Sequence, residues 1–120
     1  GIQWQKSLGG TNQDYATSIQ QTTDGGYIVA GNSSSNDGDV TGNHGYADYW
    51  IVKLNPQGEV QWQQTYGGKY ADVLRSMEQT QDGGYILGGY SNSPQSGDKT
   101  EPSIGIGDYW INIVRLPEYN

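Results

Sequence analysis

The chain has 120 residues and a net charge of −7, from 13 acidic and 6 basic side chains, with one His and neither Cys nor Phe. The absence of Cys excludes a disulfide framework and thiolate metal sites. The six basic residues are scattered and form no stripe, so nucleic acid and anionic membrane surfaces are poor partners. No apolar run approaches the roughly 20 residues that span a bilayer, so no membrane insertion is expected. Four Trp and ten Tyr carry most of the buriable area, and the 19 Gly follow no Gly-x-y period, which excludes collagen.

The chain says nearly the same thing twice. At an offset of 58, residues 4–33 and 62–91 match at 15 of 30 positions, including Trp4, Gly9, Gly10, Asp14, Asp24, Gly25, Gly26, Tyr27 and Ile28 with their partners. Asp48-Tyr49-Trp50-Ile51 returns as Asp108-Tyr109-Trp110-Ile111 at an offset of 60, so the intervening loops differ by two residues. Such a period marks repeat architecture, in which each unit buries its apolar face against a neighbour. The units divide as residues 1–58 and 59–120.

In chain order, the first repeat predicts strands over residues 2–7, 16–22, 27–30 and 49–54. Thr23-Asp24-Gly25-Gly26 forms a hairpin turn whose glycines supply positive φ. A long loop over residues 32–47 precedes the fourth strand, and Asn55-Pro56-Gln57-Gly58 closes the unit. The second repeat predicts strands over residues 60–66, 74–80, 85–88 and 109–116, with its long loop over 92–107. No 3.6-residue apolar stripe appears, so essentially no helix is expected.

Four antiparallel strands in a period of this length predict an all-β fold of two four-stranded β-propeller blades. The sequence resembles the Trp-Gln…Gly-Gly…Asp-Gly-Gly-Tyr-Ile…Asp-Tyr-Trp…Lys-Leu repeats common in bacterial and archaeal cell-surface proteins. The resemblance covers nearly the whole chain and implies propeller-like repeats at the cell surface or outside the cell, mostly without an assigned activity. The second unit departs from that pattern in its loop and at Ile111-Asn112-Ile113. Two blades leave two faces bare. Gly1 corresponds to Glu59, and Asn120 falls near the equivalent of Gly58, so head-to-tail association of three or four chains is expected, giving a six- or eight-bladed ring. That architecture is similar to small bacterial fucose-binding lectins built from two-blade chains, none of whose sequence is present here. A stretch of a longer repeat array is the other reading.

The long loops occupy the same place in each repeat and should project from one face, where function usually lives. In the first, Asp37, Asp39, Thr41 and Asp48 fall at positions 1, 3, 5 and 12 of a run with Gly42 at 6. This oxygen-rich spacing can wrap calcium, the one cofactor the sequence raises. Asp stands where a bidentate Glu is usual, no helices flank the run, and Asp-Gly clusters also make plain turns. Asp48 recurs as Asp108, which suggests a structural task at the start of a strand.

Aromatic platforms beside amides and carboxylates suit sugar rings. Tyr46, Tyr90, Asn43, His44, Trp50 and Trp110 are the candidate ligand residues, although each repeated Trp also reads as core between blades. Asp14, Asp72, Asp24 and Asp82 read as carboxylates that accept backbone N–H bonds in turns. No nucleophile elbow accompanies His44, no nucleotide-binding glycine motif is present, and nothing fixes two carboxylates at glycosidase spacing. The expectation is therefore a non-catalytic, carbohydrate-binding surface or secreted module, with a structural or protein-interaction scaffold as the alternative.

Overall fold

The computed structural model describes residues 1–105 and 107–115. Among these residues the chain is all-β, with seven strands and no helix: β1 (Asp14–Gln21), β2 (Tyr27–Ser33), β3 (Asp48–Leu54), β4 (Val60–Tyr66), β5 (Asp72–Gln79), β6 (Gly84–Ser91) and β7 (Asp108–Arg115). The first four form one antiparallel meander and the last three a second. Leu116, the expected end of the last strand, lies outside the described residues.

The hairpins follow from turn chemistry. Gly25 at φ 83° and Gly83 at φ 87° occupy a conformation that costs other residues a steric penalty. Asp24 accepts from Gly26 N and from the Thr22 hydroxyl, closing the β1–β2 turn. Asp82 repeats both bonds in the β5–β6 turn, from Gly84 N and the Thr80 hydroxyl. β1 bulges between Ala16 and Ser18 against β2, and β5 bulges identically between Leu74 and Ser76 against β6. At Gly31 and Gly89, opposite these bulges, a Cβ would collide with the carbonyl oxygens of Tyr15 and Val73.

Sheets and repeats are out of phase. Val60–Tyr66, the opening strand of the second repeat, is zipped onto β3 of the first, with Ile51 opposite Gln64 and Lys53 opposite Trp62. The equivalent residues 2–7, expected to form a strand, join no ladder. In the first sheet this element pairs with the strand before it in the chain, β4 with β3, and among the described residues no strand lies before residues 2–7.

The core lies between the sheets. Ile28, Ala30, Tyr49 and Ile51 of the first pack with Leu74, Met77, Tyr85, Leu87 and Trp110 of the second, flanked by Trp62, Tyr66 and Val114. Tyr49 is fully buried, stands 5.2 Å from the Trp110 ring and donates its hydroxyl to Trp110 O at 2.9 Å. Side chains of β1 and β5 stitch the two sheets together: Gln20 Nε2 donates to Met77 O at 3.0 Å and Gln79 Nε2 to Gln21 O at 2.9 Å. A smaller cluster of Val40, Trp50, Val52 and Leu54, with Leu8, Tyr27 and Val29, covers the other face of the first sheet.

Tyr49→Phe should lower the unfolding free energy by about 1–2 kcal/mol, because it leaves the Trp110 carbonyl without this donor while keeping the ring. Urea titration should show a lower midpoint at unchanged slope. An unchanged midpoint would mean that the bond contributes nothing.

Candidate functional site

Each repeat anchors its loops on a buried or half-buried carboxylate at the start of β1 or β5. Asp72 is fully buried, and its Oδ2 accepts from Gly68 N at 2.9 Å and from Ser93 Oγ at 3.2 Å. Its Oδ1 accepts from Ser91 Oγ, whose oxygen also caps Ser93 N. Asp14 does the same with Gly10 N, Ser35 Oγ and Ser33 Oγ. Burial raises the Asp72 pKa despite these donors and the nearby Lys99 ammonium.

The long loops then fold over the glycine pairs. Gly38, at φ 63°, sets Asp39 to exchange bonds with Gly9: Asp39 N donates to Gly9 O and Gly9 N to Asp39 Oδ2, each at 3.0 Å. Gly97, at φ 53°, places Asp98 identically on Gly67, at 2.8 and 3.1 Å. Asp37 caps Thr11 N at 2.9 Å, and Ser96 takes that place on Lys69 N at 2.8 Å. Gly38-Asp39 and Gly97-Asp98 thus correspond at an offset of 59. One inserted residue lies before this pair in the second loop and the other after it.

Where the two loops meet, His44 bridges them. Its Nδ1 lies 2.7 Å from Asp48 Oδ2 and its Nε2 lies 3.4 Å from Asp98 Oδ2. Asp48 also accepts from His44 N at 2.9 Å, and its Oδ1 has no partner among the described residues. Full burial pushes the Asp48 carboxyl up to about 6; the His44 bonds oppose that shift and the neighbouring Asp72 charge adds to it. Asp72 N donates to Ala47 O at 2.6 Å, so the starts of β3 and β5 are fastened side by side.

Beside this junction stands an aromatic pair. Tyr46 and Tyr70 lie 6.0 Å apart, tilted by 30°, and are 70% and 42% exposed. The Lys69 ammonium sits over the Tyr70 ring at 5.7 Å.

The expected ligand residues divide. Tyr46, His44 and Asn43 come together here. Asn43 serves the loop itself, donating to Ser33 O and Tyr46 O and accepting from Gly45 N. Trp50 and Trp110 belong to the two core clusters and are only 7% and 6% exposed. Tyr90 lies far along the chain, half-buried under the Arg75 guanidinium at 5.3 Å. Tyr70 and Asp98 complete the site without having been expected as members. Tyr70 replaces Asn12 of the first repeat, so repeat matching hides it, while Asp98 becomes visible only when the loops are aligned on Gly38 and Gly97.

The four oxygen ligands expected for calcium serve separate partners. Asp37 bonds Thr11, Asp39 bonds Gly9, Thr41 bonds Gln63 and Thr65, and Asp48 bonds His44. Among the described residues no three His, Cys, Asp or Glu side chains converge as a metal would need.

Comparison with protein-family models, with curated proteins and with solved structures finds no match.

The Asp48 shift has a pH signature. Its folded-state value lies above the ordinary 3.8, so the protonated form favours folding. That contribution is complete below pH 3.8 and is lost as pH rises through about 6. Asp24, held down to about 2 chiefly by the Thr22 hydroxyl, acts oppositely and only below pH 3.8. The thermal midpoint should therefore rise on going from pH 7 to 5, by the equivalent of about 1 kcal/mol. Asp48→Asn should reduce the slope of that limb, leaving the part that the raised Asp72 supplies, and spare the acid limb; a slope unchanged in Asp48→Asn would refute the assignment.

Proposed function

We propose that this chain is a non-catalytic, carbohydrate-binding module made of two β-propeller blades, completed to a ring by head-to-tail association of three or four copies. The observation that carries the ligand class is the Tyr46–Tyr70 pair, two exposed rings at a loop junction with polar side chains beside them. A pyranose offers an apolar C–H face for such rings and hydroxyls for Lys69 and Asp98. A non-catalytic role is supported by the engagement of His44, whose two ring nitrogens face Asp48 and Asp98. Identical loops around one face would act together, so weak sites would add to firm attachment. An extracellular or cell-surface setting suits this role.

The scaffold reading has its own support. The most exposed apolar side chains on a strand are on the second sheet, where Tyr109 is 91% and Ile111 64% exposed, and these suit a protein surface better than a sugar.

Glycan array screening followed by calorimetric titration separates the two. Binding of a saccharide that weakens at least tenfold in Tyr46→Ala and in Tyr70→Ala, with the fold unchanged by circular dichroism, is the expected result. A silent array with the assembled protein would leave the scaffold reading in its place.

A further inference from the structure

We infer that residues 2–8 form the missing fourth strand of a second copy's second sheet, adding to the outer edge of β7. The inference rests on the head-to-tail assembly proposed above and specifies the contact that makes it.

Three observations converge. First, the first sheet has four strands and the second has three, and among the described residues β7 has a neighbour on one side only. Its N–H and C=O groups on the other side are an open template for another strand. Second, the element that fills this place in the first sheet is β4, and the chain contains its repeat equivalent in residues 2–8, which pair with nothing. Third, this segment already lies where such a strand would lie. Trp62 of β4 belongs to the first sheet but packs against the core cluster, of which Tyr85 is a member. Trp4, its equivalent, packs on Tyr27 at a centroid distance of 5.7 Å and donates Nε1 to Pro56 O at 3.1 Å. Leu8 packs against the Trp50 cluster, as Tyr66 does against the core. Residues 2–8 therefore stand against their own first sheet with their ladder groups unused.

The faces behind these edges match in the same way. Ile28, Tyr49 and Ile51 are covered by the second sheet, whereas their equivalents Ile86, Tyr109 and Ile111 are exposed. Leu74, Met77, Leu87 and Trp110 do the covering. Their equivalents Ala16, Ile19, Val29 and Trp50 line an open groove of about 320 Å³, together with Trp4 and Leu8. A second copy placed as the second sheet is placed on the first would sink Tyr109 into this groove and carry its hydroxyl to Trp50 O. The interface inside the chain is thus the template for the interface between chains, and continuity with it selects a second copy as the occupant.

The register follows from the β3–β4 ladder. Ile51 opposite Gln64 becomes Ile111 opposite Lys6, and Val52 opposite Gln63 becomes Asn112 opposite Gln5. Directly opposed residues in an antiparallel pair lie within disulfide reach, and this chain has no cysteine of its own to compete.

The test is oxidative crosslinking of Lys6→Cys/Ile111→Cys, read on a non-reducing gel, beside the off-register pair Lys6→Cys/Asn112→Cys and light scattering of the unmodified chain. Gln5→Cys/Asn112→Cys serves as a second in-register pair that leaves Ile111 intact should its loss disturb the fold. The expected result is a mass of several chains, with in-register pairs converted to covalently linked chains while the off-register pair remains single. Assembly without preferential in-register linkage would overturn the strand assignment and leave ring formation standing. A single-chain mass with no linkage in any variant would overturn both.

Discussion

A buried carboxylate that finds its donors in two serines and a glycine amide holds this fold in shape. Asp72 is wholly inside, and an ionised group there is tolerable only because Gly68 N, Ser91 Oγ and Ser93 Oγ meet it while Lys99 stands near. Those donors come from three segments: the glycine pair before the strand, the end of the next strand, and the start of the long loop. Satisfying one side chain therefore sets the course of all three. Asp14 repeats the arrangement, and the loops, the His44 bridge and the Tyr46–Tyr70 pair are built on the frame it fixes.

Repetition of a frame does not require repetition of its fillings. Val40 and Lys99 occupy the same loop position, each donating its backbone N–H to the carbonyl three residues earlier. Val40 adds apolar area to the Trp50 cluster, whereas Lys99 donates Nζ to Ser93 O at 2.8 Å and balances Asp72. Asp24 pairs with buried Lys53 at 3.0 Å, while in the second sheet Asp82 pairs with Arg115 at 2.6 Å, because Ile113 stands where Lys53 did. Each sheet solves the same electrostatic problem with a cation two residues along the same strand face.

Much of this was legible in the residues. The Asp-Gly-Gly-Tyr turns announced their hairpins because only glycine takes the required φ at no cost, and the 58-residue offset placed six of the seven strands within two or three residues at their starts and ends. The out-of-phase pairing of β4 was not legible, since period and alternation describe a strand but not its neighbour. Nor was the site. Asp37 and Asp39 have the spacing of cation ligands, and it takes coordinates to show that each also accepts a backbone N–H, from Thr11 and Gly9. Trp50 and Trp110 could have been platform or core; Trp110 is buried between the sheets and Trp50 in the Val40 cluster on the other face, and local sequence encodes neither. Tyr70 was hidden because it breaks the repeat.

The bulged edge strands β1 and β5 and the unbulged β7 differ in what they invite. β1 and β5 carry an irregularity that bends their edges away from further pairing. β7 has none against β6, and its run Tyr109-Trp110-Ile111-Asn112-Ile113-Val114 carries no charge and no proline. Such a segment, left uncovered, is the raw material of cross-β stacking. In the assembly inferred above, a copy without its neighbour would offer that edge to fibril growth.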